Sequence, residues 1–236
     1  MTKVFAINGS ARTDKGYTEQ ILTSFLEGIK EAGASVEKVY STRLSIKPCT
    51  GTFSCWYKTP GECIYKDDMQ EIYPKLKETD ILVLATPVYI PLPGAMQDFI
   101  NRLCPLIEPL LSTVDGRTRA RFRDDVKISK FVLLSASGWW EKGNFDTLLG
   151  IVKELALNAN TEFSGALLRP HAFLMDEFPD KKASVLDACK KAGFQLIKED
   201  RMSKTHLDVI AQPLISQEKL RQWYIKLIRR QGIHEG

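Results

Sequence analysis

Five short apolar runs, separated by stretches of helical spacing, constrain this chain more than any other feature. Lys3–Asn8, Ser35–Tyr40, Asp80–Ala85, Lys130–Ser135 and Phe163–Leu168 read as strands. Asp80–Ala85 is apolar from Ile81 onward, as a strand covered on both faces has to be. Between the runs, apolar residues recur every three or four positions. Ile21, Leu22, Phe25, Leu26 and Ile29 mark a helix over 17–32, and Met69, Ile72, Tyr73 and Leu76 one over 67–78. Met96, Phe99, Ile100 and Leu103 mark the next, and Leu148, Leu149, Val152 and Leu155 another that Asn144 is placed to cap. Strands alternating with helices predict an α/β fold, a doubly wound five-stranded parallel sheet in the order 2-1-3-4-5. Residues 180–200 and 216–230 have the spacing of two further helices. The expected organisation is a sheet domain over 1–172 and a helical extension over 173–236, packed on it or on a neighbouring subunit.

Such sheets bind ligands beyond the carboxyl ends of their strands, at the switch point between the first and third. The loops after strands one, three and four therefore carry the functional information. The first, Asn8 to Thr18, leads from a strand into a helix start, where free N–H groups and partial positive charge suit an anion. Ser10, Thr13 and Thr18 add hydroxyls and Arg12 a fork of charged donors. Gly9-Ser10-Ala11-Arg12 does not fit G-x-G-x-x-G, and no Gly-Lys-Ser/Thr follows, so the donor set suits a terminal monophosphate better than a triphosphate with metal. The second loop, Thr86 to Gly94, is stiffened by three prolines and offers Tyr89 as a stacking face. The third, Ser137-Gly138-Trp139-Trp140, has a glycine for close backbone approach and two indoles. A monophosphate and a flat aromatic ring bound at one end of a sheet are the outline of flavin mononucleotide, FMN.

Composition narrows the alternatives. The 236 residues are 44% hydrophobic with a net charge of +4, mild enough for anionic small ligands without demanding nucleic acid. No apolar run approaches the ~20 residues of a membrane span, and the first residues lack an apolar leader segment. Five cysteines, an odd number, point to thiols in a reducing cytoplasm rather than to disulfides. Asp115–Asp125 reads as a basic, solvated surface loop with Arg117, Arg119, Arg121 and Arg123 alternating. Its sharper reading is a clamp for the phosphates of NAD(P)H or a lid at a subunit interface. His171, His206 and His234 form no metal-binding spacing.

Gly9-Ser10-x-Arg12-x3-Gly16-x-Thr18, Thr86-Pro87-Val88-Tyr89, Pro93-Gly94-x-Met96-x2-Phe99-Ile100-x-Arg102 and Ser137-Gly138-Trp139 together resemble the NAD(P)H-dependent FMN reductase family, and within it the iron–sulfur flavoprotein branch, over residues 3–170. The resemblance implies a flavodoxin-like fold with the FMN phosphate on Ser10, Arg12, Gly16, Tyr17 and Thr18. It places the ribityl chain and ring near Pro87, Val88, Tyr89 and Ile90 and near Ser137, Gly138 and Trp139. It implies a homodimer or homotetramer, NAD(P)H as co-substrate, and flavin-centred chemistry with no side-chain acid or base. A quinone, another flavin or a redox protein would be the electron acceptor. The branch carries a C-x2-C-x2-C-x4–7-C run for a four-iron cluster. Cys49, Cys55 and Cys63 match its first, third and last positions, but Thr52 stands at the second. A hydroxyl is a poor ligand for that iron, so these three are expected to be thiols in a loop beside the flavin, holding at most a labile cluster. Cys104 and Cys189, on apolar helical faces, are expected in the core. The alternatives are a flavodoxin-type electron carrier without NAD(P)H turnover and an iron–sulfur flavoprotein with a labile cluster.

Overall fold

The computed structural model describes residues 1–114 and 116–230. Strands β1 (Lys3–Asn8), β2 (Ser35–Tyr40) and β3 (Ile81–Pro87) are followed by a pair outside the main sheet, β4 (Ile107–Val114) and β5 (Arg117–Phe122). Strands β6 (Lys130–Ala136) and β7 (Glu162–Arg169) complete a parallel five-stranded sheet in the order β2-β1-β3-β6-β7. This is the predicted order, 2-1-3-4-5, once the inserted hairpin is left out of the count.

Period-two side-chain alternation distributes the strands between two cores. Val4, Ala6, Val83, Ala85, Val132 and Leu134 face one side, where helix α1 (Tyr17–Glu31) lies against α6 (Pro179–Glu199). Phe5, Ile7, Leu82, Leu84, Phe131 and Leu133 face the other, under α3 (Met69–Lys77), α4 (Gly94–Asn101) and α5 (Asp146–Asn158). The α1–α6 contact is backbone to backbone. A Cβ on Gly28 would lie 1.8 Å from the Lys190 carbonyl oxygen, and one on Gly193 2.1 Å from that of Phe25, so both positions require glycine. Val185, Cys189 and Leu196 of α6 share one core with α1 and the sheet. A short helix, α2 (Ser54–Tyr57), interrupts the cysteine segment. Helices α7 (Lys204–Ala211) and α8 (Gln217–Arg230) follow α6, and α7 lies in a stretch without predicted structure.

Two local expectations are corrected. The basic segment is not a surface loop: from Arg117 it is β5, paired antiparallel with β4, and Asp115 lies outside the described residues. Its alternating arginines are the period of a strand, and they are already engaged. Arg117 and Arg119 both pair with Glu154, Arg121 with Glu108 and Asp124, and the Arg123 guanidinium donates to the Pro105 and Cys55 carbonyls. Asn144 does not cap α5. It sits in a 3-10 turn, Lys142–Phe145, donating to the Glu141 carbonyl at 2.8 Å, and Phe145 precedes the helix. No helix among the described residues is long and apolar enough to cross a membrane.

Candidate functional site

β1 pairs with β2 on one side and β3 on the other, so the chain leaves the carboxyl ends of β1 and β3 in opposite directions and opens a crevice between them. A cavity of about 200 Å³ lies there. Ser10, Arg12, Gly16, Tyr17 and Thr18 line it from the first loop, Pro87 and Val88 from the second, and Ser137 and Gly138 from the third. Backbone hydrogen bonds fix the spacing of these loops. Gly9 N–H donates to Ala85 O at 2.7 Å, Val88 N–H to Ala136 O at 2.8 Å, and Ser137 N–H to Arg169 O at 3.0 Å.

The first loop is held from below by a buried carboxylate. Glu19, in the first turn of α1, accepts from Asn8 Nδ2 at 2.8 Å, Thr23 Oγ1 at 3.0 Å and Tyr40 Oη at 3.1 Å, and pairs with Lys38. Asn8 Oδ1 in turn accepts from Ser10 N–H at 2.8 Å, which sets the loop's first turn. Burial works against the Lys38 ammonium, yet the Glu19 hydrogen bond wins and its pKa is raised. No side chain caps the α1 N-terminus, leaving its dipole end directed at the cavity. The Arg12 guanidinium lies 5.4 Å from the centre of the Tyr17 ring.

Tyr89, Ile90 and Trp139 do not line the cavity. Tyr89 and Ile90 stand outside it, 68% and 88% exposed. The Trp139 ring lies 5.5 Å from that of Tyr224 on α8, and Trp140 donates from its indole to the Ile215 carbonyl at 3.0 Å. The cavity wall also includes Ala136, Ala172 and Phe173, which were not among the expected residues. Tyr224 closes the wall from behind, its hydroxyl donating to the Gly138 carbonyl at 3.2 Å. Phe173 and Tyr224 come from the C-terminal third, and only a fourth loop after β7 could have signalled the first of them.

That fourth loop is built on His171, which lies outside the cavity lining. It is fully buried in the left-handed region at φ 37°, and its Nε2 accepts the Leu214 N–H at 2.9 Å. Burial, with Arg169 and Lys181 beside it, pushes its pKa down to about 4. Arg169, also buried, donates to the carbonyls of Pro170, Ile210 and Gln212. Between pH 6.5 and 4 the unfolded chain takes up a proton that the folded imidazole refuses, so stability falls as pH drops through that window. Denaturant midpoints measured from pH 7 to pH 4 are expected to show this decline, and His171→Gln to flatten it. His206, by contrast, sits on α7 bonded to Ser203 and Gln195, and His234 lies outside the described residues.

A second cavity, of about 320 Å³, shares no lining residue with the first and is bordered by Cys49, Cys55, Cys63 and Cys104. Cys189 is buried, as the spacing predicted, but Cys104 is not a core residue. It follows the last turn of α4, where the chain turns outward toward β4, and its sulfur lies 3.8 Å from that of Cys55.

Fold and site together define a doubly wound flavodoxin-like domain with a cavity at its switch point, into which hydroxyls, a guanidinium and an uncapped helix start are brought. The chain belongs to the NADPH-dependent FMN reductase family, whose model matches residues 2–124. It is a flavoprotein, and FMN is its cofactor. Two curated relatives are iron–sulfur flavoproteins. That of Archaeoglobus fulgidus is 36% identical over 104 residues, 44% of this chain and 46% of the relative. That of Methanosarcina thermophila is 33% identical over 88 residues, 37% of this chain and 44% of the relative. The chain thus matches just under half the length of these relatives. An azoreductase from Bacillus anthracis shares the fold at a TM-score of 0.57 and 16% identity, over 84% of this chain and 100% of its own. An NAD(P)H:quinone oxidoreductase from Methanothermobacter marburgensis does so at 0.57 and 16%, over 83% and 96%.

The cradle fits FMN. Its lining joins hydroxyls, one guanidinium and a helix start to apolar Val88, Ala136, Ala172 and Phe173, with no carboxylate among them, and a Cβ at Gly16 would meet Ser10 Oγ at 2.8 Å. The cysteine motif departs from that of the cluster the relatives' name implies, because Thr52 stands at its second position. The Thr52 hydroxyl is bonded to Ser54 at 3.2 Å, and among the described residues no three His, Cys, Asp or Glu side chains are grouped to hold a metal ion.

Proposed function

We propose that this chain is an FMN-dependent oxidoreductase that takes electrons from NAD(P)H and delivers them to a quinone, a flavin or a similar small acceptor. The reading is carried by one observation: an uncapped helix start with its hydroxyls and guanidinium shares a cavity with the Pro87–Val88 and Ser137–Gly138 backbones. Bound FMN would supply the two-electron centre. Ser10, Thr18 and the α1 N-terminus would hold its phosphate, with Arg12 closing over it. Pro87, Val88, Ser137 and Gly138 would fix the ribityl chain and ring by backbone contact, and Gly138 is itself braced by Tyr224. The crevice opens outward, so with the phosphate at the helix start the ring would lie toward the exposed Tyr89, Ile90 and Trp139. There the nicotinamide, the acceptor or a second copy of the chain would seat. Residues 173–230 would act as an extension of the same unit, since α8 braces the site.

The test is steady-state oxidation of NADPH and of NADH by the FMN-loaded protein, with a quinone or free flavin as acceptor. Turnover in the ordinary enzymatic range, about 1–10³ s⁻¹, is expected. Stable FMN binding with no nicotinamide oxidation for any acceptor would leave the flavodoxin-type electron carrier, which passes electrons between redox partners without NAD(P)H turnover.

A further inference from the structure

The second cavity holds a built arrangement of two sulfurs. Cys55 lies on α2 and Cys104 after α4, 49 positions apart, with their Sγ atoms 3.8 Å apart in a thiol–thiol contact. Two side chains hold their backbones together. The Trp56 indole donates to the Cys104 carbonyl at 3.1 Å, and the Arg123 guanidinium bridges the Pro105 carbonyl at 2.8 Å and that of Cys55 at 3.2 Å. Both are free thiols, and neither is fully buried.

We propose that Cys55 and Cys104 form a reversible dithiol–disulfide pair, a redox modification site whose oxidant is a small-molecule disulfide. Cys55 is the entering sulfur. It loses its proton to water and its thiolate attacks one sulfur of the oxidant, forming a mixed disulfide and releasing one thiolate, which takes up a proton. Cys104, deprotonated in turn, attacks the Cys55 sulfur, closing the internal disulfide and releasing the second thiolate. Two electrons pass from the pair to the oxidant, which leaves as two thiols. Burial raises both thiol pKa values, that of Cys104 to about 12, so the exchange is slow at neutral pH. The bridge would staple the cysteine segment to the turn after α4. The opposite end of that helix follows the Pro87–Pro93 loop.

The test uses the reduced full chain incubated anaerobically with oxidised glutathione, followed by thiol titration in denaturant and peptide mapping. Two of the five thiols are expected to disappear into a Cys55–Cys104 cross-link, reversed by dithiothreitol. Cys104→Ser is expected to carry one glutathione on Cys55, and Cys55→Ser to lose the cross-link. FMN content, which neither residue touches, reports that the variants fold. A cross-link joining other cysteines, or two separate glutathione adducts on Cys55 and Cys104, would overturn the proposal. So would retention of about four irons per chain after incubation with iron and sulfide, if Cys104→Ser abolished it, because Cys104 would then be a cluster ligand.

Discussion

Gly16→Ala is expected to weaken FMN binding by about 100-fold while leaving the fold in place. Gly16 has a φ of −87°, which any residue adopts, so the substitution brings no backbone strain. It brings one carbon, 2.8 Å from Ser10 Oγ and 3.4 Å from Arg12 Cβ. The hydroxyl has to turn away, and the space where backbone and phosphate would approach most closely is filled. A hydrogen bond to a charged group contributes about 1.5–3 kcal/mol, and each 1.4 kcal/mol is about tenfold in affinity. Losing one such bond together with the close approach gives the two orders of magnitude. Titration of FMN fluorescence measures it. Ser10→Ala removes the hydroxyl without filling the space, so its loss should be nearer tenfold. Wild-type affinity in both variants would place the phosphate elsewhere.

Arg102→Met is expected to destabilise the protein by about 3–5 kcal/mol at neutral pH, because it leaves a buried carboxylate without its partner. Arg102 and Asp67 are 1% and 4% exposed and meet through two bonds, of 2.7 and 3.0 Å. Arg102 also donates to the Lys47 carbonyl at 2.7 Å, and Asp67 accepts the Lys47 N–H at 3.0 Å. The pair therefore clamps both ends of the irregular segment that carries Cys49, Cys55 and Cys63. Burial alone would raise the Asp67 pKa, but the Arg102 hydrogen bonds and the Lys47 N–H outweigh it and hold it below 3.8. A carboxylate with a lowered folded pKa contributes its stability above the unfolded value, and loses it as pH falls through the folded one. The gap between wild type and Arg102→Met should therefore be widest near pH 7 and shrink below pH 4. Denaturant unfolding at pH 7 and pH 3 measures this, and an equal loss at both would show that packing, not the ion pair, is what Arg102 provides. Arg102→Lys keeps the charge without the fork and should fall between.

The hairpin shows why part of the fold was hidden in the sequence. Arg117, Arg119, Arg121 and Arg123 have the period of a strand, but they are charged, and hydrophobic alternation is the signal that separates a strand from a loop. Their partners Glu154 and Glu108 lie on other elements, so nothing local marked the segment as paired. Cys104 was hidden for a related reason. It stands four residues after Ile100, as on the apolar face of a continuing helix, but α4 ends at Asn101 and the chain then turns outward. Phe173 and Tyr224 reach the site from 33 and 84 residues beyond Trp140, the end of the third loop.

The parallel sheet, its order and the first-loop residues that line the cavity follow from the sequence itself, because they rest on local signals. Apolar runs of strand length, helical spacing between them, and a glycine–hydroxyl–arginine loop at a strand-to-helix junction are all read within about fifteen residues. The tertiary structure alone decided which side chains meet across the chain. It braced Gly138 with Tyr224, set Glu19 against Asn8, which holds Ser10, left Tyr89 and Trp139 outside the cavity lining and brought Cys104 against Cys55. Those contacts join elements that are far apart in sequence, and their distances are fixed by how helices seat on the two faces of the sheet, which no local pattern encodes.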